Sequence, residues 1–286
     1  MWGFFCVLSA RVAIAKGEDP HEMVGRALEL IRAEESVSTD DTVLIKPNYI
    51  TAKDPSTGVT TDPRVVEELI RFAQHCGAKS ITVGDGGAGD TESAFDTVGL
   101  RDIVLRLGVN LIDLNHDRRT TVRIPGALAL NEVDIARTAI DSTCIFNVPS
   151  LKVHHMALVT LCMKNLMGVV LPKGSMHAEL HAKLVDLASL LKPRINVIEG
   201  IVGSELDEVH GNPVRMDVII AGTDIVATDA VGAMVMGIDP KKVTHIRLAS
   251  KRGLGVGKIQ NIEILGDPVE SVRRDFKLPP TFQSKF

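Results

Sequence analysis

From Phe146 to His181 the chain reads Phe-Asn-Val-Pro-Ser-Leu-Lys-Val-His-His, then Thr-Leu-Cys-Met-Lys-Asn-Leu-Met-Gly from Thr160, and then His177 and His181. Four of the nine histidines and three lysines, Lys152, Lys164 and Lys173, fall in this stretch. Imidazole moves protons and ligates metals near neutral pH, and ammonium groups hold anions. Lys164 sits among Leu, Cys and Met, where an unpaired charge is costly. Its setting therefore predicts either an anionic partner or a lowered pKa. A lysine of the second kind is a base, a nucleophile or a covalent anchor. With Lys152, His154 and Asn165 beside it, the segment reads as one wall of an anion-binding cleft. His154, Lys164 and His181 are its candidates for catalysis.

His177 and His181 are spaced to share one face of a helix, which Leu180, Leu184, Leu187 and Leu191 support. The order is His-x-Glu-x-His, so Glu179 points away from the pair and a zincin site is excluded. A divalent metal held by both histidines is one reading. A single catalytic histidine is the other, because two ligands do not make a site.

Other groups lie upstream and downstream. Lys46-Pro47-Asn48 follows a strand, where parallel sheets bind ligands, so Lys46 and Asn48 are candidate substrate contacts. Gly84-Asp85-Gly86-Gly87-Ala88-Gly89 has the form of a dinucleotide fingerprint. Its carboxylates oppose that use: Asp85 lies inside the loop, and Asp90 and Glu92 follow at once. Asp229 lies in an apolar helix and is expected to pair with Lys46, Lys152 or Lys164. Asp224 falls near that helix's start, where a carboxylate complements the dipole.

The bulk of the chain narrows the classes. Its 286 residues can bury a large core in one or two domains. A net charge of −4 argues against bulk nucleic-acid binding, and 3% aromatics leave little for base stacking. Cys6, Cys76, Cys144 and Cys162 are widely spaced, with no Cys-x-x-Cys, so no local iron–sulfur or zinc-ribbon motif exists. Isolated cysteines suggest reduced thiols and a cytoplasmic setting. The apolar start, Met1 to Ala10, is too short to span a bilayer and lacks a basic lead; it reads as a first strand continuing to Ala15.

The elements that must position these groups are short apolar runs alternating with helical patterns. Strands are expected at Val43–Ile45, Ile81–Val83, Val109–Ile112, Cys144–Phe146, Ile195–Ile198 and Val218–Ile220. Asp62-Pro63 opens a helix with Val65, Val66, Leu69, Ile70 and Ala73 on its buried face. Further helices are expected over 223–237 and 240–250. Loops are expected at 51–60 and 203–215. The alternation predicts an α/β fold, a mostly parallel sheet with helices on both faces, in two lobes of about 1–140 and 141–286.

At these residues the chain resembles the domain-of-unknown-function 362 family over about 40–257. The match rests on Lys46-Pro47-Asn48, Asn147 to His154, Thr160 to Gly168, His181 with Asp186-Leu187, and Ala221 to Ala230. Glu199-Gly200 stands where the family often has Asp-Gly. Many relatives carry fused ferredoxin modules, which implies a redox setting and a redox partner protein. More distantly, the order of elements is similar to that of the nickel-pincer lactate racemase family. That resemblance implies Arg64 as a carboxylate clamp, His154 as acid or base, Lys164 as cofactor anchor, and His177 or His181 as metal ligand. The Gly84–Gly89 turn has no counterpart to the racemase's second histidine.

The leading expectation is an enzyme acting on a small anionic metabolite, a hydroxy acid for instance, by proton or hydride transfer with or without a divalent metal. Its cleft would hold Lys46, Asn48, Lys152, His154, Lys164, Asn165 and His181. The rivals are a non-catalytic metal- or cofactor-binding accessory protein of redox systems and a nucleotide-dependent oxidoreductase built on Gly84–Gly89.

Overall fold

Uniformly apolar runs such as Val43-Leu44-Ile45 suit strands buried on both faces. In the computed structural model, which describes residues 10–283, they are that. The strands are β1 (Ala10–Lys16), β2 (Thr42–Lys46), β3 (Ser80–Asp85), β4 (Asn110–Asp113), β5 (Arg119–Arg123), β6 (Glu132–Ala136), β7 (Cys144–Asn147), β8 (Ser150–His154), β9 (Leu158–Thr160), β10 (Ile195–Glu205), β11 (Asn212–Gly222) and β12 (Ile262–Gly266). The main sheet runs β12-β1-β11-β10-β7-β2-β3-β4, with β8 and β9 added beside β10, while β5 and β6 form a separate pair. β11 runs antiparallel to β1 and β10; the other pairs along that order are parallel. The stretch expected as strand before Ala10 lies outside the described residues, as does Cys6.

Helices cover both faces, as the alternation predicts. α1 (Pro20–Leu30), α2 (Pro63–His75), α3 (Thr91–Thr97), α4 (Leu100–Leu107) and α5 (Arg137–Asp141) lie in the first half. α6 (Cys162–Asn165), α7 (Leu180–Leu191), α8 (Ile225–Val235) and α9 (Thr244–Lys251) follow. Successive residues of one strand enter different cores. Val43 and Ile45 pack with Leu69 and Ile70 of α2, whereas Leu44 packs with Leu184 of α7 and Val231 of α8. The sheet takes strands from both sides of residue 140: β1 lies between β11 and β12, and β7 beside β2.

Capping chemistry sets the helix starts. The Asp62 carboxylate accepts the Arg64 N–H ahead of Pro63, and Asp224 accepts those of Val226 and Ala227. Two local expectations are corrected. β10 and β11 extend as a hairpin through Glu205 and Asn212, so the expected loop at 203–215 shrinks to 206–211; Gly203 and Pro213 punctuate paired strands there. The helix expected to carry His177 begins at Leu180, behind Glu179 in a left-handed conformation (φ 55°), so His177 and His181 do not share a helical face.

The long β10 organises the site. Its first residues, Ile195 and Asn196, pair with β7, and further along Glu199 and Ser204 pair with β8. Val148-Pro149 separates β7 from β8. The β8–β9 hairpin and the tip of the β10–β11 hairpin thus stand beyond the carboxyl ends of β2, β3 and β7. No helix among the described residues is long and apolar enough to cross a membrane.

One buried carboxylate ties this half together. Asp186 in α7 accepts the N–H groups of Leu128, Ala129 and Leu130 and pairs with Arg252 at 3.0 Å. Asp186→Ala leaves those donors without an acceptor. Urea unfolding should show a loss of about 3 kcal/mol, with a smaller loss for Asp186→Asn, which keeps one acceptor oxygen.

Candidate active site

The site starts where β2 and β3 end side by side. Lys46 closes β2 and Asp85 closes β3; their side chains are buried and lie 2.7 Å apart, Nζ to Oδ1. Burial drives the Lys46 pKa down and Asp85 pulls it back up. The second Asp85 oxygen accepts the Tyr49 N–H at 2.6 Å, fixing the turn after Lys46-Pro47-Asn48. Gly168 lies against this pair: a Cβ there would fall 2.4 Å from Asp85 Oδ1 and 2.6 Å from Lys46 Nζ.

Asparagine amides extend the pair across the cleft. Asn165, at the end of α6, accepts from Lys46 Nζ at 3.3 Å and from Asn48 Nδ2 at 2.9 Å, and donates to Asn147 Oδ1 at 2.9 Å. The Asn48 oxygen in turn accepts from Lys152 Nζ at 2.8 Å, which also donates to the Val59 carbonyl at 2.6 Å. Lys152 is wholly buried with neutral partners only, and burial pushes its pKa down to about 7, with Lys164 adding to the effect.

These groups line one cavity of about 390 Å³ with the 86–88 turn, Met156, Met167, His154, His155, Lys164, Lys173, His177 and Glu208. Lys173 donates to the carbonyls of Gly168 and Val170, and its pKa falls to about 8, again chiefly through burial. Lys164 has no hydrogen bond or ion pair among the described residues, and burial lowers its pKa to about 8. The through-space charge of Glu208 opposes that lowering only in part.

His154 has a defined tautomer. Its Nδ1 faces the N–H groups of Met156 and Ala157 at 3.0 and 3.2 Å, so Nδ1 accepts and Nε2 carries the proton. Burial, with the nearby Lys164, pushes its pKa down to about 2. Nε2 faces Glu208 Oε1 at 3.7 Å, and the same oxygen binds His155 Nδ1 at 2.5 Å. His154, His155 and Glu208 have metal-ligand atoms within 4.8 Å of one another. A metal on His154 Nε2 would have to displace its proton while Nδ1 still accepted from two backbone donors, and Lys152 and Lys164 place positive charge beside it. The trio is thus a candidate metal site only if His154 gives up that proton, and as it stands His154 Nε2–H is a hydrogen-bond donor.

Of the residues singled out in the sequence, Lys46, Asn48, Lys152, His154, Lys164 and Asn165 share this cavity. His177 lies at its rim, exposed, and also borders a shallow groove with His181. His181 turns instead to His245, Nδ1 to Nδ1 at 3.2 Å. Of the set that the racemase resemblance implies, His154, Lys164 and His177 border this cavity, whereas His181 does not. Arg64 clasps Asp62 at 2.6 Å, half-exposed and outside the lining. Asp229 pairs with no lysine: it accepts the N–H groups of Cys162 and Met163 at 2.6 and 3.0 Å, capping α6, and burial raises its pKa to about 7. The start of α6 lacked any other side-chain cap, and a buried carboxylate from α8 fills that need.

Sequence reading missed Glu208, which lies in a segment read as one long loop. It also missed His245, a buried ring whose Nε2 lacks a hydrogen-bond partner among the described residues. Neither stands in a motif; only the charge-rich composition of 203–215 pointed toward the first. The glycine turn does not offer its amides to a phosphate. Gly87 N–H donates to Thr91 Oγ1, and those of Ala88 and Gly89 to the Ile50 carbonyl. The glycines are there for close packing: a Cβ on Gly87 would lie 2.4 Å from the Tyr49 oxygen. Three of the amides that a dinucleotide phosphate would use are thus taken up within the protein.

Fold and site together define an α/β protein with its cleft at the carboxyl ends of parallel strands. The chain belongs to the family described as Domain of unknown function (DUF362), whose model matches residues 43–234. It is 27% identical over 256 residues to the thylakoid-associated protein sll1697 of Synechocystis sp. (strain ATCC 27184 / PCC 6803 / Kazusa), covering 85% of this chain and 78% of that protein. Its fold is similar to that of the lactate racemase apoprotein from Thermoanaerobacterium thermosaccharolyticum, with a TM-score of 0.52 and 14% identity over 83% of this chain. The chain spans 60% of the length of that racemase.

The His154 geometry makes a direct prediction. Nitrogen-15 NMR of histidine-labelled protein should show one ring that stays neutral and protonated at Nε2 between about pH 5 and 8, where a free imidazole titrates. That resonance should vanish in His154→Gln.

Proposed function

We propose that the chain is an enzyme that binds a small carboxylate-bearing metabolite in the Lys46–Lys173 cleft and acts on it by acid–base chemistry. The observation that carries this reading is Lys164: a mostly buried ammonium with no hydrogen bond or ion pair among the described residues, lining a cavity of metabolite size, its burial offset only by the through-space charge of Glu208. Lys152 and Lys173 meet only neutral acceptors, so their charge is left for an anion. His154 offers Nε2–H as a donor, and Glu208 opposite it is a proton acceptor. A hydroxy acid or oxo acid suits the size and sign of the cleft, and the racemase-like fold is compatible with such a ligand. No step requires a bound metal.

The protonation states give the pH dependence. An anion raises the pKa values of Lys152 and Lys164, so binding near pH 8 should take up protons. Affinity should hold below the Lys164 pKa of about 8 and fall as pH rises through it. Calorimetry in buffers of different ionisation enthalpy measures both effects with lactate, pyruvate and inorganic phosphate as probes. Lys164→Ala should weaken binding roughly tenfold to a hundredfold, the value of one charge-assisted hydrogen bond. Unchanged affinity in that variant, or no binding of any small anion, would remove the reading.

A further inference from the structure

Resting on the anion-cleft reading, we propose that Lys164 is a nucleophile that forms an imine with a small oxo acid, a carboxylate carrying an aldehyde or ketone carbon. An amine attacks a carbonyl through its lone pair, so it must be free of the acceptors that would hold its protons toward them. Three of the four cavity lysines fail this condition. Lys46 is locked to Asp85, Lys152 donates to Asn48 and Val59, and Lys173 donates to two backbone carbonyls. Lys164 alone among the four has no such partner among the described residues. Burial lowers its pKa to about 8, so about a tenth is free amine at neutral pH, far more than for an ordinary lysine.

The other groups match the remaining needs of the step. Lys152 and Lys173 can take the carboxylate, and the Nε2–H of His154 can hold the carbonyl oxygen. Free Lys164 amine adds to the carbonyl carbon: the C–N bond forms, the C=O π pair moves to oxygen, and that oxygen takes a proton. Loss of this hydroxyl with one further proton releases water and leaves a C=N bond. The balance is one ammonium and one carbonyl giving one iminium and one water, with no change in oxidation state. Where the oxo acid has a C–H bond beside its carbonyl carbon, the iminium draws electrons from it, and Glu208, which lines the same cavity, can take that proton.

The test uses the full chain with pyruvate or glyoxylate, reduced by sodium borohydride and read by peptide mass spectrometry. The expected result is an adduct on Lys164, heavier by the oxo acid less one oxygen atom. It should be enriched roughly tenfold or more over exposed lysines, as expected for a positioned reactant, and suppressed by excess lactate. Lys164→Arg should abolish the adduct, with circular dichroism checking that the variant is folded. If that variant misfolds, lactate competition on the unmodified protein decides the point. Calorimetric binding of pyruvate without an adduct on Lys164 overturns the imine and leaves the anion cleft standing. Labelling spread evenly over surface lysines overturns the imine as well. Failure of pyruvate and lactate alike to bind overturns both readings.

Discussion

The buried pair between Lys46 and Asp85 is the constraint around which the site is built. Two adjacent strands end in opposite charges, and neither charge has water to turn to. Desolvating both ions is costly, so the pair survives only with its remaining hydrogen-bonding capacity filled. Tyr49, Asn165 and the Pro47 carbonyl fill it. Each recruits a further element: Tyr49 the loop after β2, Asn165 the short α6, and through Asn48 the lysine of β8. Gly168, Gly86 and Gly87 must then pass at a distance that admits no side chain. The pair thus fixes the backbone on three sides of the cleft while contributing little free charge to it.

That arrangement divides the lysines by role. Lys46 is spent on structure, and Lys152 sits halfway, held by neutral oxygens. Lys164 comes last in the progression, with burial but no hydrogen bond or ion pair among the described residues. The progression leaves the cleft lined by lysines although the chain carries a net charge of −4. Its acidic side chains elsewhere cap helices or pair with arginines, as Asp186, Asp224 and Glu67 do.

Much of this was legible in the sequence because it followed from local chemistry. Asp62-Pro63 announces a helix start through capping and fixed φ, and the structure has one there. The apolar runs at β2, β3 and β7 announce a parallel sheet because no face of them is polar. The wall from Lys152 to Asn165 was visible because polar groups among apolar residues must be compensated. What stayed hidden depends on distant pairing. Asp229 was assigned a lysine on charge alone, but a helix start with bare amides competed for it and won. The His177–His181 spacing suggested a shared face, yet the helix begins between them. Glu208 reaches the cleft only because β10 outruns the sheet and turns back as a hairpin, a length no short window reports.

The hairpin also has a consequence for how such a site can diversify. Lys46, Lys152 and Lys164 belong to strands and a short helix anchored in the sheet, whereas Glu208 rides on residues 206–211, a turn joined to the rest by the register of β10 and β11 and by a few contacts from Lys53, His155 and Lys277. Exchange of those six residues would change which proton acceptor, if any, overhangs the lysines, without altering a single contact of the Lys46–Asp85 pair. A different turn over the same lysine wall would present different chemistry to the cleft, the wall serving as a chassis and the turn as its interchangeable tool.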